Sequence, residues 1–166
     1  MDTQLLIILS LIILSLIGLS WFRGKDAPYV TTKSNKLNDA LKGAGVKEGK
    51  VFYELGSGDG RVVFEAAKMG ARAIGIEESL LRVWYSNYSA LKQKMSNTKF
   101  IHGDIFKRTY ADADIVFIYL LTSAVVRLEM KLKKELKKGS KVVTQTYHFK
   151  NWKPIKKIDN FWIYQK

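Results

Sequence analysis

Val51-Phe52-Tyr53-Glu54-Leu55-Gly56-Ser57-Gly58-Asp59-Gly60-Arg61 constrains the fold more than any other stretch of this chain. A β-branched and aromatic run, the signature of a strand, enters a turn in which every second residue is glycine. Behind the turn, Val62, Val63, Ala66 and Ala67 recur at helical spacing, and Gly70 stands where a C-cap belongs. Strand, glycine turn and helix open a nucleotide-binding βαβ unit, in which a ligand approaches bare backbone at a helix N-terminus. The pattern is not the dinucleotide fingerprint G-x-G-x-x-G, because Arg61 occupies the position of its third glycine. Glu54 at the strand end would repel a pyrophosphate and suits a cationic ligand.

Two further acids fall at strand ends. Ala71–Ile76 predicts a second strand ending at Glu77, at about the 20-residue interval where a βαβ unit sets an acid on ribose hydroxyls. A solvated charge at a helix start is the alternative. Lys99–His102 predicts a third strand that runs into Gly103-Asp104-Ile105. Asp104 is positioned to accept an adenine amino group with Ile105 against the ring, or to serve as a turn residue. Between these strands Leu80, Leu81, Trp84, Tyr88, Leu91 and Met95 form a helical stripe expected to face mostly inward. Ala113–Leu121 is apolar enough for a central strand buried on both faces, with Tyr119 at its C-terminal end, where chemistry sits in such sheets. A helix capped by Thr122 or Ser123 follows through about Lys138, then a fifth strand over Lys141–Phe149 and a hairpin turning at Asp159-Asn160.

With 166 residues the chain is long enough for one well-packed domain. The absence of cysteine excludes disulfides, zinc ribbons, iron–sulfur clusters and thiol nucleophiles, and two distant histidines make no metal site. A net charge of +13 seeks anions: lipid headgroups, nucleic acid or acidic protein. The prospective fifth helix adds Arg127, Lys131, Lys133, Lys134, Lys137 and Lys138 against Glu129 and Glu135, a solvated face or a surface for anionic lipid. Leu5–Phe22 carries no charge and would span ~27 Å as a helix, close to the ~30 Å hydrocarbon core. With Trp21, Phe22, Arg23 and Lys25 at its end, it predicts one transmembrane helix, the remainder lying in the cytoplasm. A cleaved signal peptide is the rival, but it lacks a basic start and a small-residue cleavage site.

An acid two residues before G-x-G-x-G resembles the cofactor motif of class I S-adenosylmethionine methyltransferases. Pro28-Tyr29-Val30-Thr31, Glu54–Arg61 and Val83-Trp84-Tyr85-Ser86 narrow the resemblance. Together they are similar to the family of the mitochondrial ATP synthase c-subunit lysine methyltransferase and its prokaryotic relatives. Thr31 stands where that family often has proline, and Glu54 where Asp is common. The resemblance, over about residues 27–153, implies a Rossmann-like methyltransferase fold and N-methylation of a lysine in a membrane-associated protein. S-adenosylmethionine would be held by Glu54, Gly56, Ser57, Gly58, Asp59, Gly60, Glu77, Asp104 and Ile105. Tyr29, Trp84, Tyr85 and Tyr119 are the candidates for an aromatic pocket that disfavours the lysine ammonium.

The expected organisation is therefore an anchor over residues 1–24, a linker and short helix over 25–50, and a cofactor-binding domain over 51–166. The short helix would be capped by Thr32 or Ser34 and bury Leu37, Ala40, Leu41 and Ala44. Three readings compete with lysine methylation: an RNA methyltransferase, a small-molecule amine methyltransferase, and an inactive membrane-tethered binding module. The Asn/Asp-Pro-Pro-Tyr box of many base methyltransferases is absent, as is an appended RNA-binding module, which makes nucleic acid the weaker partner.

Overall fold

The computed structural model describes residues 3–22 and 36–166, residues 17 and 20–22 by their backbone alone. Helices α1 (Thr3–Phe22) and α2 (Leu37–Ala44) precede β1 (Val51–Leu55), α3 (Arg61–Lys68), β2 (Arg72–Glu77), α4 (Leu80–Lys92) and β3 (Thr98–His102). Then come β4 (Ile115–Ile118), α5 (Thr122–Glu135), β5 (Lys141–Gln145), β6 (Lys156–Ile158) and β7 (Phe161–Gln165). The sheet order is β3-β2-β1-β4-β5-β7-β6. Strands β1 to β5 are parallel, and β7 runs antiparallel to β5 and β6. The doubly wound sheet with a C-terminal hairpin turning at Asp159-Asn160 is the one the sequence predicts. Strand order reverses at β1, between β2 and β4, and the C-terminal ends of these strands frame the crevice where such sheets bind ligands.

Side-chain alternation divides the core into two layers. Phe52, Phe117, Val143 and Phe161 point to the face covered by Leu41 of α2, Val62 and Val63 of α3, and Val83 of α4. Leu55, Ile76, Val116 and Ile118 point to the other, with Val125, Leu128 and Leu132 of α5. β4 is buried at all four positions, as its apolar run requires.

The expected transmembrane helix is corrected: among the described residues no helix is long and apolar enough to cross a membrane. The segment is nonetheless helical, as α1 over Thr3–Phe22. Its start is polar at Thr3 and Gln4, and Ser10 returns its hydroxyl to the Leu6 carbonyl at 2.8 Å. The Trp21 and Phe22 side chains, Arg23, Lys25, Pro28–Thr31 and the candidate caps Thr32 and Ser34 lie outside the described residues.

Two other expectations change. The α4 stripe, expected to be mostly core, is turned the other way. The buried residues of the helix are Arg82, Val83, Ser86 and Ala90, while Leu80, Trp84, Tyr85, Tyr88 and Leu91 face outward. α5 takes Leu121 as its N-cap, without a side-chain cap, so Thr122 is already helical. Its cationic face is also less free than composition suggests. Lys131 pairs with Glu135 at 2.5 Å, Lys133 with Glu129 at 3.2 Å and Lys137 with Asp114 at 3.0 Å.

Candidate functional site

The glycine turn sits at the C-terminal end of β1, against β2. Gly56 and Ser57 donate their backbone N–H to the Ile76 carbonyl at 2.9 and 3.0 Å, and Gly60 donates to Ser57 at 2.8 Å. The turn uses left-handed backbone at Gly56, Gly58 and Gly60, with φ 81°, 55° and 82°. Gly60 is needed for space as well: a Cβ there would stand 2.5 Å from Phe100 of the core. The result is a partly exposed edge of bare backbone at the start of α3.

Glu54 ends β1 beneath this edge. It is buried, and its Oε2 has no hydrogen-bond partner among the described residues. Burial pushes its carboxyl well above the usual range, the Asp59 charge adds to that, and the Val63 backbone N–H opposes it. A desolvated acceptor without a donor is the cradle that a cationic group would complete. The Asp59 carboxylate grips Arg61 at 2.6 Å, closing the turn on the outside.

Glu77 does more than await a ribose. Its Oε2 accepts the Gly58 N–H at 2.8 Å, and its Oε1 accepts the Ser79 N–H at 2.8 Å. Oε1 also takes the Arg82 guanidinium at 2.7 Å, in a pair buried on both sides. A carboxylate has about four acceptor sites, so room is left for one hydroxyl rather than the two expected. Asp104 is exposed, just past the C-terminal end of β3, and its Oδ1 accepts the Phe106 N–H at 2.8 Å, so it serves as a turn residue. Ile105 is buried, with its carbonyl accepting the Tyr110 hydroxyl at 2.7 Å. Ser57 is buried, and its Oγ has no partner among the described residues.

Sequence reasoning missed Arg82 and Ser86. Ser86 donates its hydroxyl to the Gly58 carbonyl at 3.3 Å, so α4 braces the turn from the side. The available signal was a basic residue one helical turn into α4, just past an acid that ends a strand. Of the four aromatic pocket candidates, the three among the described residues are not brought together. Tyr119 lies one residue beyond β4, partly buried against the first core layer. Trp84 and Tyr85 are on the outer face of α4, where Trp84 stacks on Tyr88 at 6.0 Å. Tyr29 lies outside the described residues.

The ANTKMT methyltransferase domain family matches residues 54–156. An ATP synthase c-subunit lysine N-methyltransferase of Rattus norvegicus is 34% identical over 142 residues, covering 82% of this chain and 65% of that protein. A protein-lysine N-methyltransferase of Saccharolobus islandicus is 32% identical over 130 residues, covering 76% of this chain and 81% of that one. The chain spans about three fifths of the length of the mammalian and frog relatives it matches. Among solved structures, an RNA methyltransferase of Salinibacter ruber bound to S-adenosyl-L-homocysteine superposes with a TM-score of 0.75. It is 32% identical, over 81% of this chain and 91% of that one. The unpartnered Glu54 oxygen and the glycine edge fit S-adenosylmethionine as the cofactor. From the match over residues 54–156, the Glu54-x-Gly-x-Gly-x-Gly turn and the sheet order, this chain belongs to the ANTKMT methyltransferase domain family.

Proposed function

We propose that the chain methylates the side-chain nitrogen of a lysine in a partner protein, using S-adenosylmethionine. The observation that carries this reading is the similarity, above 30% identity, to lysine N-methyltransferases of both the rat and Saccharolobus. When bound, S-adenosylmethionine supplies a methyl group on a sulfonium centre for transfer to a neutral amine. The chain's own part is to bind, orient and desolvate. Glu54 holds a positive group with its open oxygen, the glycine edge admits the ligand to backbone contact, and Glu77 accepts one ribose hydroxyl while bracing Gly58. Asp104 accepts the adenine amino group through the oxygen that the Phe106 N–H leaves open, with Ile105 beside it. Tyr119 walls the acceptor side, and an apolar wall favours the neutral amine over a lysine ammonium of pKa ~10.4.

The partner protein docks along α4, where Leu80, Trp84, Tyr88 and Leu91 form an exposed apolar stripe beginning just past Glu77. Trp84 and Tyr85 therefore act as a docking face rather than an enclosed pocket. Contact with an anionic membrane surface on the cytoplasmic side is proposed from the +13 charge, through the lysines of the α5 end such as Lys134 and Lys138.

The test incubates the full chain with tritiated S-adenosylmethionine and a protein extract of its source organism, followed by hydrolysis. Label in N-methylated lysine is expected. Ribonuclease-sensitive label would instead establish the second reading, RNA methylation, which the similarity to the Salinibacter ruber RNA methyltransferase favours. Label confined to small molecules would overturn both.

A further inference from the structure

β5 ends in a turn that its residue type resists. Thr146 has φ 64°, left-handed backbone that a β-branched side chain rarely adopts. Directly after it, the Tyr147 N–H donates to the Gln145 carbonyl at 2.7 Å, closing a tight γ-turn on Thr146. The hairpin clamps this turn from outside. Thr146 N–H donates to the Asn160 carbonyl at 2.8 Å, and the Asn160 side-chain amide donates to Thr146 Oγ1 at 3.4 Å. Asp159 in the hairpin turn has φ 52°, so two left-handed non-glycine residues meet at one end of the sheet. Strain of this kind persists only where its surroundings over-determine it, and it concentrates at functional sites.

The position of the turn says what it serves. Ile118 pairs with Thr144, which makes Tyr119 and Gln145 the next residues in register. Glu54 pairs with Phe117 and Glu77 with His102, so all these strand ends share the C-terminal edge. Gln145 is buried, while Tyr147, two residues further along the chain from that edge, is exposed at 37%. An extended residue at 146 would carry β5 straight on; the γ-turn turns the chain back at this edge and so sets where Tyr147 leaves the sheet.

We propose that Tyr147 forms the acceptor-side wall beside Tyr119 and packs on the aliphatic stem of the lysine substrate. Thr146 is the positioning residue that aims it. This rests on the lysine-methyltransferase reading above. Tyr147 then sets affinity for the acceptor and leaves cofactor binding alone.

The experiment uses the full chain and three variants: Thr146→Gly, Tyr147→Ala and Tyr147→Phe. Initial rates of tritium transfer are measured against increasing protein extract, alongside S-adenosylhomocysteine titration and thermal unfolding. Glycine at 146 relieves the strain, so Thr146→Gly should unfold at the same or a higher temperature and bind S-adenosylhomocysteine within about twofold of the parent. Its half-saturating extract concentration should nevertheless rise about fivefold or more, as should that of Tyr147→Ala, while Tyr147→Phe stays within about twofold. Half-saturation within about twofold for both Thr146→Gly and Tyr147→Ala would overturn the proposal. Loss of S-adenosylhomocysteine binding in Thr146→Gly would do so too, by giving the turn to the cofactor. If the parent chain binds S-adenosylhomocysteine but labels no lysine, the lysine reading itself fails and takes this inference with it.

Discussion

Helices α3 and α4 arise from similar sequence: each follows a strand end and a turn, and each carries an apolar stripe at helical spacing. α3 buries its stripe, Val62, Val63, Phe64, Ala66 and Ala67. α4 turns its largest apolar residues outward, with Leu80, Trp84, Tyr88 and Leu91 exposed at 65%, 66%, 56% and 79%. The reason is the distance of approach. α4 packs against the glycine turn, where Ser86 Oγ would stand 3.2 Å from a Cβ on Gly60. Ring-sized side chains do not fit there, so Val83, Ser86 and Ala90 take the inner face, with Arg82 buried beside them on Glu77, and the aromatics are left outside. Periodicity identifies a face; it does not say whether the partner of that face is the protein's own core.

The contrast can be strained most through the buried pair beneath α4. Arg82→Ala leaves Glu77 buried and uncompensated, and should cost about 3–5 kcal/mol in urea unfolding. An effect below ~1 kcal/mol would mean that water already reaches the pair. Gly60→Ala adds a methyl in left-handed backbone against Phe100 and should cost about 2–4 kcal/mol by the same measurement.

Glu54→Gln separates stability from function at the head of α3. The carboxyl of Glu54 is raised by burial, so the stability its neutral form contributes is present below the ordinary carboxylate range, near pH 4.3. That stability is lost as pH rises through the raised value. The glutamine variant should therefore be more stable than the parent at neutral pH, with the gap closing on acidification. It should bind S-adenosylmethionine about tenfold or more weakly, ~1.4 kcal/mol by calorimetry. Because the cationic ligand favours the ionised form, affinity of the parent chain should fall as pH drops through the same value.

The smallest effect on stability belongs to the outer face of α4. Trp84→Ala combined with Tyr88→Ala should change unfolding free energy by no more than about 0.5 kcal/mol each. The same pair should clearly reduce tritium transfer to protein. A large stability loss would show that the stripe is core after all.

The placement of the candidate cofactor residues was legible because it is local. Glu54, the three alternating glycines and Glu77 belong to one βαβ unit, and their positions follow from strand end, turn and helix start. The sheet class, the hairpin turn at Asp159-Asn160 and the inward face of α5 followed from alternation and spacing in the same way. The acceptor side was not legible. It depends on Thr146 meeting Asn160 across a hairpin, and no sequence pattern announces left-handed backbone at a threonine. The apolar N-terminal run shows the opposite error. Composition suggested a membrane span, yet no described helix has the length and apolarity to cross.

By itself, then, the sequence determined that a strand must end in a carboxylate under bare backbone, because glycine spacing and charge act within a few residues of one another. Tertiary structure alone decided how α4 is rotated, which lysines are neutralised by Asp114, Glu129 and Glu135, and how Glu77 divides its oxygens between Gly58, Ser79 and Arg82. It also decided that Tyr119 and Gln145 stand side by side. These depend on contacts between distant segments, where steric fit and desolvation choose among faces that a one-dimensional pattern leaves equivalent.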